Sequence, residues 1–157
     1  MAYLLKARVW TSERGAEVIE FAIILPLLLL IIFGIVDFGF LFQRYVVMTN
    51  AAMEGARVRV LPGYDDADAE ARARAYAVQG GIPDAAACPP YCVDVQQVSL
   101  PGAGAGAWTG FQVTVNYIHQ YSYMGPIAEL FGGSFSSTTL RARSVMRSQV
   151  AAAGGGS

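Results

Sequence analysis

The 22 residues from Phe21 to Phe42 hold a single ionisable group, Asp37, among apolar side chains, glycine and proline. A helix over this run is about 33 Å long at 1.5 Å per residue, enough to cross a hydrocarbon core of about 30 Å. The run therefore predicts a membrane-spanning helix, and it concentrates much of the chain's 54% hydrophobic content. A cleaved secretory signal would carry an apolar region of about 7 to 15 residues ending near a small-x-small site. Here Arg44 and Tyr45 follow a longer run. Lys6, Arg8 and Arg14 precede the run and only Arg44 lies close behind it. That bias predicts a cytoplasmic N-terminus, with everything after about residue 42 outside.

The helical pattern continues past the span. Leu41, Tyr45, Met48, Ala52 and Gly55 recur at spacings of three and four, with Gln43, Asn50 and Arg57 on another side. One long helix from roughly Ala16 to Val60 follows, broken at Leu61-Pro62-Gly63. Asp65 and Asp66 are caps for a second helix reaching about Gln79, where Gly80-Gly81 stops it. Its expected buried line is Ala67, Ala71, Ala75 and Val78, with acid-first pairs Asp68 to Arg72 and Glu70 to Arg74 on a solvated face.

From Cys92 the period becomes two. Val93 and Val95 alternate with polar residues, and the phase then slips to Val98 and Leu100, which predicts a bulge. Phe111, Val113, Val115 and Tyr117 form a second alternating set, and Leu140, Ala142 and Met146 a third, against Arg141, Arg143 and Arg147. Residues 101–106, "PGAGAG", read as a hairpin connection, and residues 125–133, "GPIAELFGG", as a short helix. The expected fold is α+β: a long N-terminal transmembrane and stalk helix, a second short helix, and a small three-stranded antiparallel sheet resting one face on that second helix. A head of this size has a marginal core, so packing on its own stalk would help it.

A net charge of -1 gives no electrostatic argument for nucleic acid. Cys88 and Cys92 fall in the exported part, where a disulfide is the default. Their C-x3-C spacing departs from the redox C-x2-C, and His119, the one histidine, cannot complete a metal site. The expectation is a structural bridge, with a membrane-anchored thiol oxidoreductase as an alternative. His119 is expected just after the second strand, at a tyrosine-rich strand end that reads as packing. No nucleophile set, paired-carboxylate site or phosphate loop has a spacing that argues catalysis. No enzyme activity, cofactor, metal or small-molecule substrate is expected.

The stretch "RGAEVIEFAIILP" places glycine five residues ahead of glutamate and an aromatic, just before the apolar helix. This resembles the processing site of type IV prepilins, in which a membrane peptidase cuts after the glycine. Carried over, Gly15 precedes the cut, Ala16 becomes the N-terminus, and Glu20 and Phe21 are its fifth and sixth residues. The wider run, residues 14–39 followed by "TNAAMEGAR", resembles the TadE family of the tight-adherence (Flp) pilus system. The resemblance covers residues 14–57 and is weaker in the head. It implies a pilin-like minor protein in the bacterial inner membrane. Its head would be periplasmic or extracellular, and its partners would be sister pilin-like subunits, a prepilin peptidase, inner-membrane assembly proteins and membrane lipid. The implied division is a leader over residues 1–15, a transmembrane and stalk helix over 16–61, a head over 64–150 and a disordered tail over 151–157. A permanently tethered extracytoplasmic interaction module is the alternative.

Cleavage at Gly15 would free an α-amino group with a pKa of about 7.7 to 8.0, mostly cationic at neutral pH. Glu20 lies one turn from it, and it pairs either with its own Ala16 amine or with that of a neighbouring subunit. Family analogy favours the neighbour. Asp37 has two readings. With the span at residues 21–42 it is an expensive charge inside the bilayer; with the span at 18–36 it reaches the outer interface. Many family members place a base after the second FG pair, where this chain has Phe40. Pro26 marks a kink in the span. Gly34 and Gly39 are spaced by five and make no GxxxG pair, but Ala51 with Gly55 and Ala52 with Ala56 are small-xxx-small pairs. Those pairs predict close helix packing, against the chain's own head or another subunit.

Overall fold

The structure is a computed structural model describing residues 13–83, 85–102, 107–130, 132–133 and 136–148. Most of the expected leader, the tail at 151–157 and residues 103–106 of the hairpin connection lie outside these residues. The chain orders as α1 (Glu13–Arg59), α2 (Asp66–Gln79), β1 (Tyr91–Pro101), β2 (Ala107–Gln120), α3 (Met124–Leu130) and β3 (Ser137–Arg147). The strands form one antiparallel sheet in the order β1-β2-β3. The architecture is the expected α+β, with a long apolar helix, a short second helix and three strands.

α1 runs unbroken for 47 residues through Pro26. It is long and apolar enough to cross a membrane, and its most apolar 18-residue window has no residue buried among the described residues. Its distal half carries the head. The sheet lies mainly on α1, and α2 lies beside α1 at the β1 side. The expectation that the sheet would rest on α2 is therefore corrected. A 14-residue helix built largely of alanine offers little apolar surface, whereas the distal half of α1 offers Met48, Ala51, Ala52 and Ala56, all fully buried.

α2 begins with a capping box in which Asp65 Oδ1 accepts the Asp68 amide proton and Asp68 Oδ2 accepts that of Asp65, both at 3.0 Å. It ends in a Schellman turn: Ile82 N–H donates to Ala77 O at 3.0 Å, and Gly81 adopts φ +78°, a left-handed conformation that glycine enters freely. Its buried line is Ala69, Ala73 and Ala77, not Ala67, Ala71, Ala75 and Val78. Alanine fills every second position from 67 to 77, and a two-residue step in a helix turns about 200°. Both faces therefore carry an alanine stripe, and the fit against α1 decides between them. Arg74 pairs with Glu70 as expected, at 2.5 Å. Arg72 instead reaches across to Glu54 of α1 at 3.3 Å, because Asp68 is held in the cap.

The register between β1 and β2 is continuous from Tyr91↔Tyr117 to Pro101↔Ala107, so the expected bulge is absent. The phase slip is a change of apolar face. Val93 and Val95 pack on the core, while Val98 and Leu100 lie on the outer face. There Gly110 leaves room for Leu100, whose Cδ1 would lie 2.6 Å from a Cβ at that position. Tyr91, Val113, Val115, Tyr117 and Ala142 close the core from the sheet side. Burial pushes the Tyr91 hydroxyl up to about 12, with Arg74 acting the other way, and this hydroxyl donates to Ala73 O at 3.3 Å.

Candidate functional site

Three pairs fix how the head rides on the helix. The Arg59 guanidinium stacks 3.9 Å from the Phe111 ring centroid. Arg44 Nη1 donates to the Tyr117 hydroxyl at 2.5 Å. Phe33 stacks on Tyr123 with centroids 5.3 Å apart. As α1 climbs from 33 to 59 its partners descend from 123 to 111, so β2 runs antiparallel to the helix. From Arg44 to Arg59 a helix rises about 22 Å and from Tyr117 to Phe111 a strand covers about 20 Å, so the two stay level.

At the N-terminal end of this track, Asp37 is 1% exposed. Its Oδ1 accepts from the Ser122 amide at 3.2 Å and its Oδ2 from the Tyr123 and Met124 amides at 3.0 and 2.7 Å. These are the amides leading into α3, which has no intrahelical acceptors for them. Asp37 thus fastens the last loop of the head to the helix. The carboxylate is matched by donors of its own chain, which answers the charge-burial difficulty that the sequence raised for it.

His119 stands beside this junction, inside β2 and not after it. It is 3% exposed, lies 5.4 Å from Tyr121 in an edge-to-face contact, and has no hydrogen-bond partner on either ring nitrogen among the described residues. Burial, reinforced by Arg44 and opposed by Asp37, holds its pKa below the ordinary value.

The residues singled out from sequence fall into three places. Gly15, Ala16, Glu20 and Phe21 lie in the first turns of α1 and are exposed, with Phe21 at 59%. Pro26 and Gly39 are exposed along the helix; a Cβ at Gly39 would meet nothing within 4 Å. Gly34 faces Met124, whose sulfur would lie 3.8 Å from a Cβ there. Ala51, Ala52, Gly55 and Ala56 are buried by the chain's own α2 and sheet: a Cβ on Gly55 would lie 3.0 Å from Ala69 O and 3.4 Å from Val113 Cγ1. Of the two packings the sequence left open for the small residues, the structure has the one against the head. Cys88 and Cys92 form a disulfide with Cα atoms 4.8 Å apart, closing the loop that enters β1. No cluster able to hold a metal ion occurs among the described residues.

The sequence reading did not find the partners of Asp37, the Phe33–Tyr123 stack or the Arg44–Tyr117 bond. All three join residues more than seventy positions apart. The available signal was compositional: an acid and a base on one side of an otherwise apolar helix.

The helix is also where the chain meets known proteins. Residues 15–57 match the family model described as TadE-like protein, the family that the sequence resembles. The match begins at the glycine of the processing motif and ends two residues before α1 does. It connects the chain with the Tad pilus system. No curated protein and no solved structure matches the chain.

Proposed function

We propose that the chain is a pilin-like minor subunit acting in assembly of the tight-adherence (Flp) pilus. It is anchored by α1 in the inner membrane, carries its head on the periplasmic side, and is trimmed after Gly15 by a prepilin peptidase. It acts by assembly and not by catalysis. The observation that carries this reading is the free side of α1. Phe21, Leu28, Ile35 and Phe42 recur every seven residues, interleaved with Ile32, Gly39, Val46 and Met53, and apart from Gly39 these side chains are 41 to 67% exposed. Such a 3-4 seam is the pattern of a helix that packs along another helix. Within lipid an apolar seam needs no partner, but this one continues past Asp37, where the head begins.

A span entering near Val18 and leaving near Val36 is about 28 Å long, which matches a bilayer core and puts Asp37 and the loop it holds at the outer surface. Phe42, Val46 and Met53 then stand in water unless a neighbouring helix covers them. Their exposure supports a subunit contact on the side of α1 away from its own head. Gly39, with open space around it, lets that neighbour approach closely at the membrane surface.

Two measurements test this. Intact-mass or N-terminal analysis of mature chain from cells with the pilus machinery is expected to give a start at Ala16; Met1 retained throughout would favour a permanent tether. Photocrosslinkers at Phe42 and Val46 are expected to trap another pilin-like subunit, and capture of lipid alone would count against assembly through the stalk. Met48, fully buried under the chain's own head, serves as the negative control position.

A further inference from the structure

The outer face of the sheet carries a second feature that the pilin reading does not use. Arg141, Arg143 and Arg147 all point to this face of β3, opposite Asn116, Thr114 and Gly110 of β2. On the helices Arg57, Arg59, Arg72 and Arg74 each have a carboxylate within 4 Å and Arg44 is bonded to the Tyr117 hydroxyl, whereas none of the three arginines on β3 has a carboxylate within 4 Å among the described residues. Arg147 lies on the Trp108 ring at 4.0 Å, and Asp94, across the sheet on β1, is engaged by Gln96 at 2.8 Å. Like charges at neighbouring positions on one sheet face repel. Guarding an edge strand against unwanted pairing needs charge but not three unmatched cations in one column. The arrangement is therefore one that an anion would relieve.

We propose that this face binds an extended acidic polysaccharide, a polymer carrying carboxylates and hydroxyls. Three observations select this occupant. First, the column runs along the stalk, because β2 is antiparallel to α1 and β3 antiparallel to β2. Arg141 and Arg147 are about 20 Å apart along that direction. A flat anionic membrane would meet the lower end only, but a linear chain can lie along the whole column. Second, the amides of Gln112 and Asn116 on β2 stand beside the arginines, with Thr114 buried between them and with Val98, Leu100, Trp108, Ile118 and Val145 as the apolar side chains of the same face. Side-chain amides both donate and accept, as sugar hydroxyls do. Third, the cations are guanidinium groups, whose planar fork matches a carboxylate in two parallel bonds.

The test is binding of the full chain in detergent micelles to alginate, a polyuronate, with dextran, poly-L-glutamate and phosphatidylglycerol vesicles as comparisons. The wild-type chain is expected to bind alginate in preference to all three, with affinity falling as salt rises. R141Q/R143Q is expected to weaken binding at least tenfold and flatten the salt dependence, with an unchanged far-UV spectrum. Should that double variant not fold, R143Q alone is expected to weaken binding severalfold. Equal binding of dextran or poly-L-glutamate, stronger binding of vesicles, or undiminished alginate binding by a folded variant overturns the proposal. None of these outcomes depends on processing at Gly15 or on entry into a pilus.

Discussion

Asp37 Oδ2 accepts the amide proton of Met124 at 2.7 Å, across 87 positions of sequence, and the same carboxylate takes the amides of Ser122 and Tyr123. Hydrogen bonds to a charged group contribute about 1.5 to 3 kcal/mol, and donors left without an acceptor in a buried site add their own desolvation cost. Asp37→Ala is therefore expected to destabilise the head by about 3 kcal/mol and to raise amide exchange first at residues 122–126. Asp37→Asn keeps one acceptor oxygen and should fall between. Hydrogen exchange of the detergent-solubilised chain measures both. If the exchange increase appeared in β1 and not in the α3 segment, Asp37 would not be the fastening point.

The elements of this fold were legible in the sequence where a local pattern specified them: the apolar run of α1, the Asp65 cap, the glycine stop of α2 and the alternation of β2. What the sequence left undecided was which faces meet. In α2 the two alanine stripes are equivalent by composition, and only Gly55, too close to Ala69 and Ala73 for any larger residue, shows which one docks. In β1 the slip from Val95 to Val98 reads as an insertion when the strand is taken alone, but an uninterrupted register with β2 makes it an exchange of faces. Asp37 was visible as an anomaly and its resolution was not, because its donors are backbone amides that have no residue signature.

Two glycines of α1 should respond in opposite ways to added bulk. A Cβ at Gly55 would lie 3.0 Å from Ala69 O and 3.2 Å from Ala73 Cβ, so Gly55→Leu must push α2 off α1. Overpacking of this kind costs about 1 to 3 kcal/mol. At Gly39 nothing lies within 4 Å, and Gly39→Ala should stabilise the isolated chain by up to about 1 kcal/mol through helix propensity. Gly39→Leu should likewise fold, yet lose the crosslinks from Phe42 and Val46 if a neighbouring helix approaches there. Thermal melts and crosslinking yields, read together, separate the two positions.

Stability should depend on pH through His119. Burial and Arg44 lower its pKa in the folded chain, against the smaller opposite pull of Asp37, while the unfolded chain takes up the proton near the ordinary value of about 6.5. The neutral ring therefore stabilises the fold above about pH 6.5, and this contribution is lost as pH falls from there toward the depressed folded value. The melting temperature is expected to drop between pH 7 and pH 5. In His119→Phe, which keeps the ring contacts with Tyr117 and Tyr121, that part of the drop should disappear. A pH profile identical in the two proteins would mean that His119 is not its source.

The disulfide closes a loop of only five residues, Cys88 to Cys92. In the chain-entropy description such a bridge contributes about 2 kcal/mol. The double replacement Cys88→Ser, Cys92→Ser should lower head stability by about that amount while leaving α1 and membrane insertion intact. A protein whose stability is unchanged, but whose cells lose a thiol-dependent activity, would point instead to a redox role for this pair. Urea unfolding of the oxidised, reduced and replaced forms distinguishes the two.

Glu20 offers the sharpest division between anchor and subunit. It is exposed in the first turns of α1, one helical turn beyond Ala16, and no hydrogen bond or ion pair joins it to the described residues of its own head. If trimming after Gly15 frees an ammonium at Ala16, a carboxylate at Glu20 of an adjoining chain can match it, and a single axial register then removes two charges from unfavourable surroundings at once. Glu20→Gln keeps size and hydrogen-bonding capacity but not charge. Trimming is expected to proceed, the head to melt as in wild type, and entry of the chain into pili to fall by at least tenfold. The check is the amount of this chain in sheared pilus fractions, compared with the mass of the mature chain left in the membrane. Wild-type amounts of trimmed Glu20→Gln protein in the pilus would mean that register is set by the apolar seam alone.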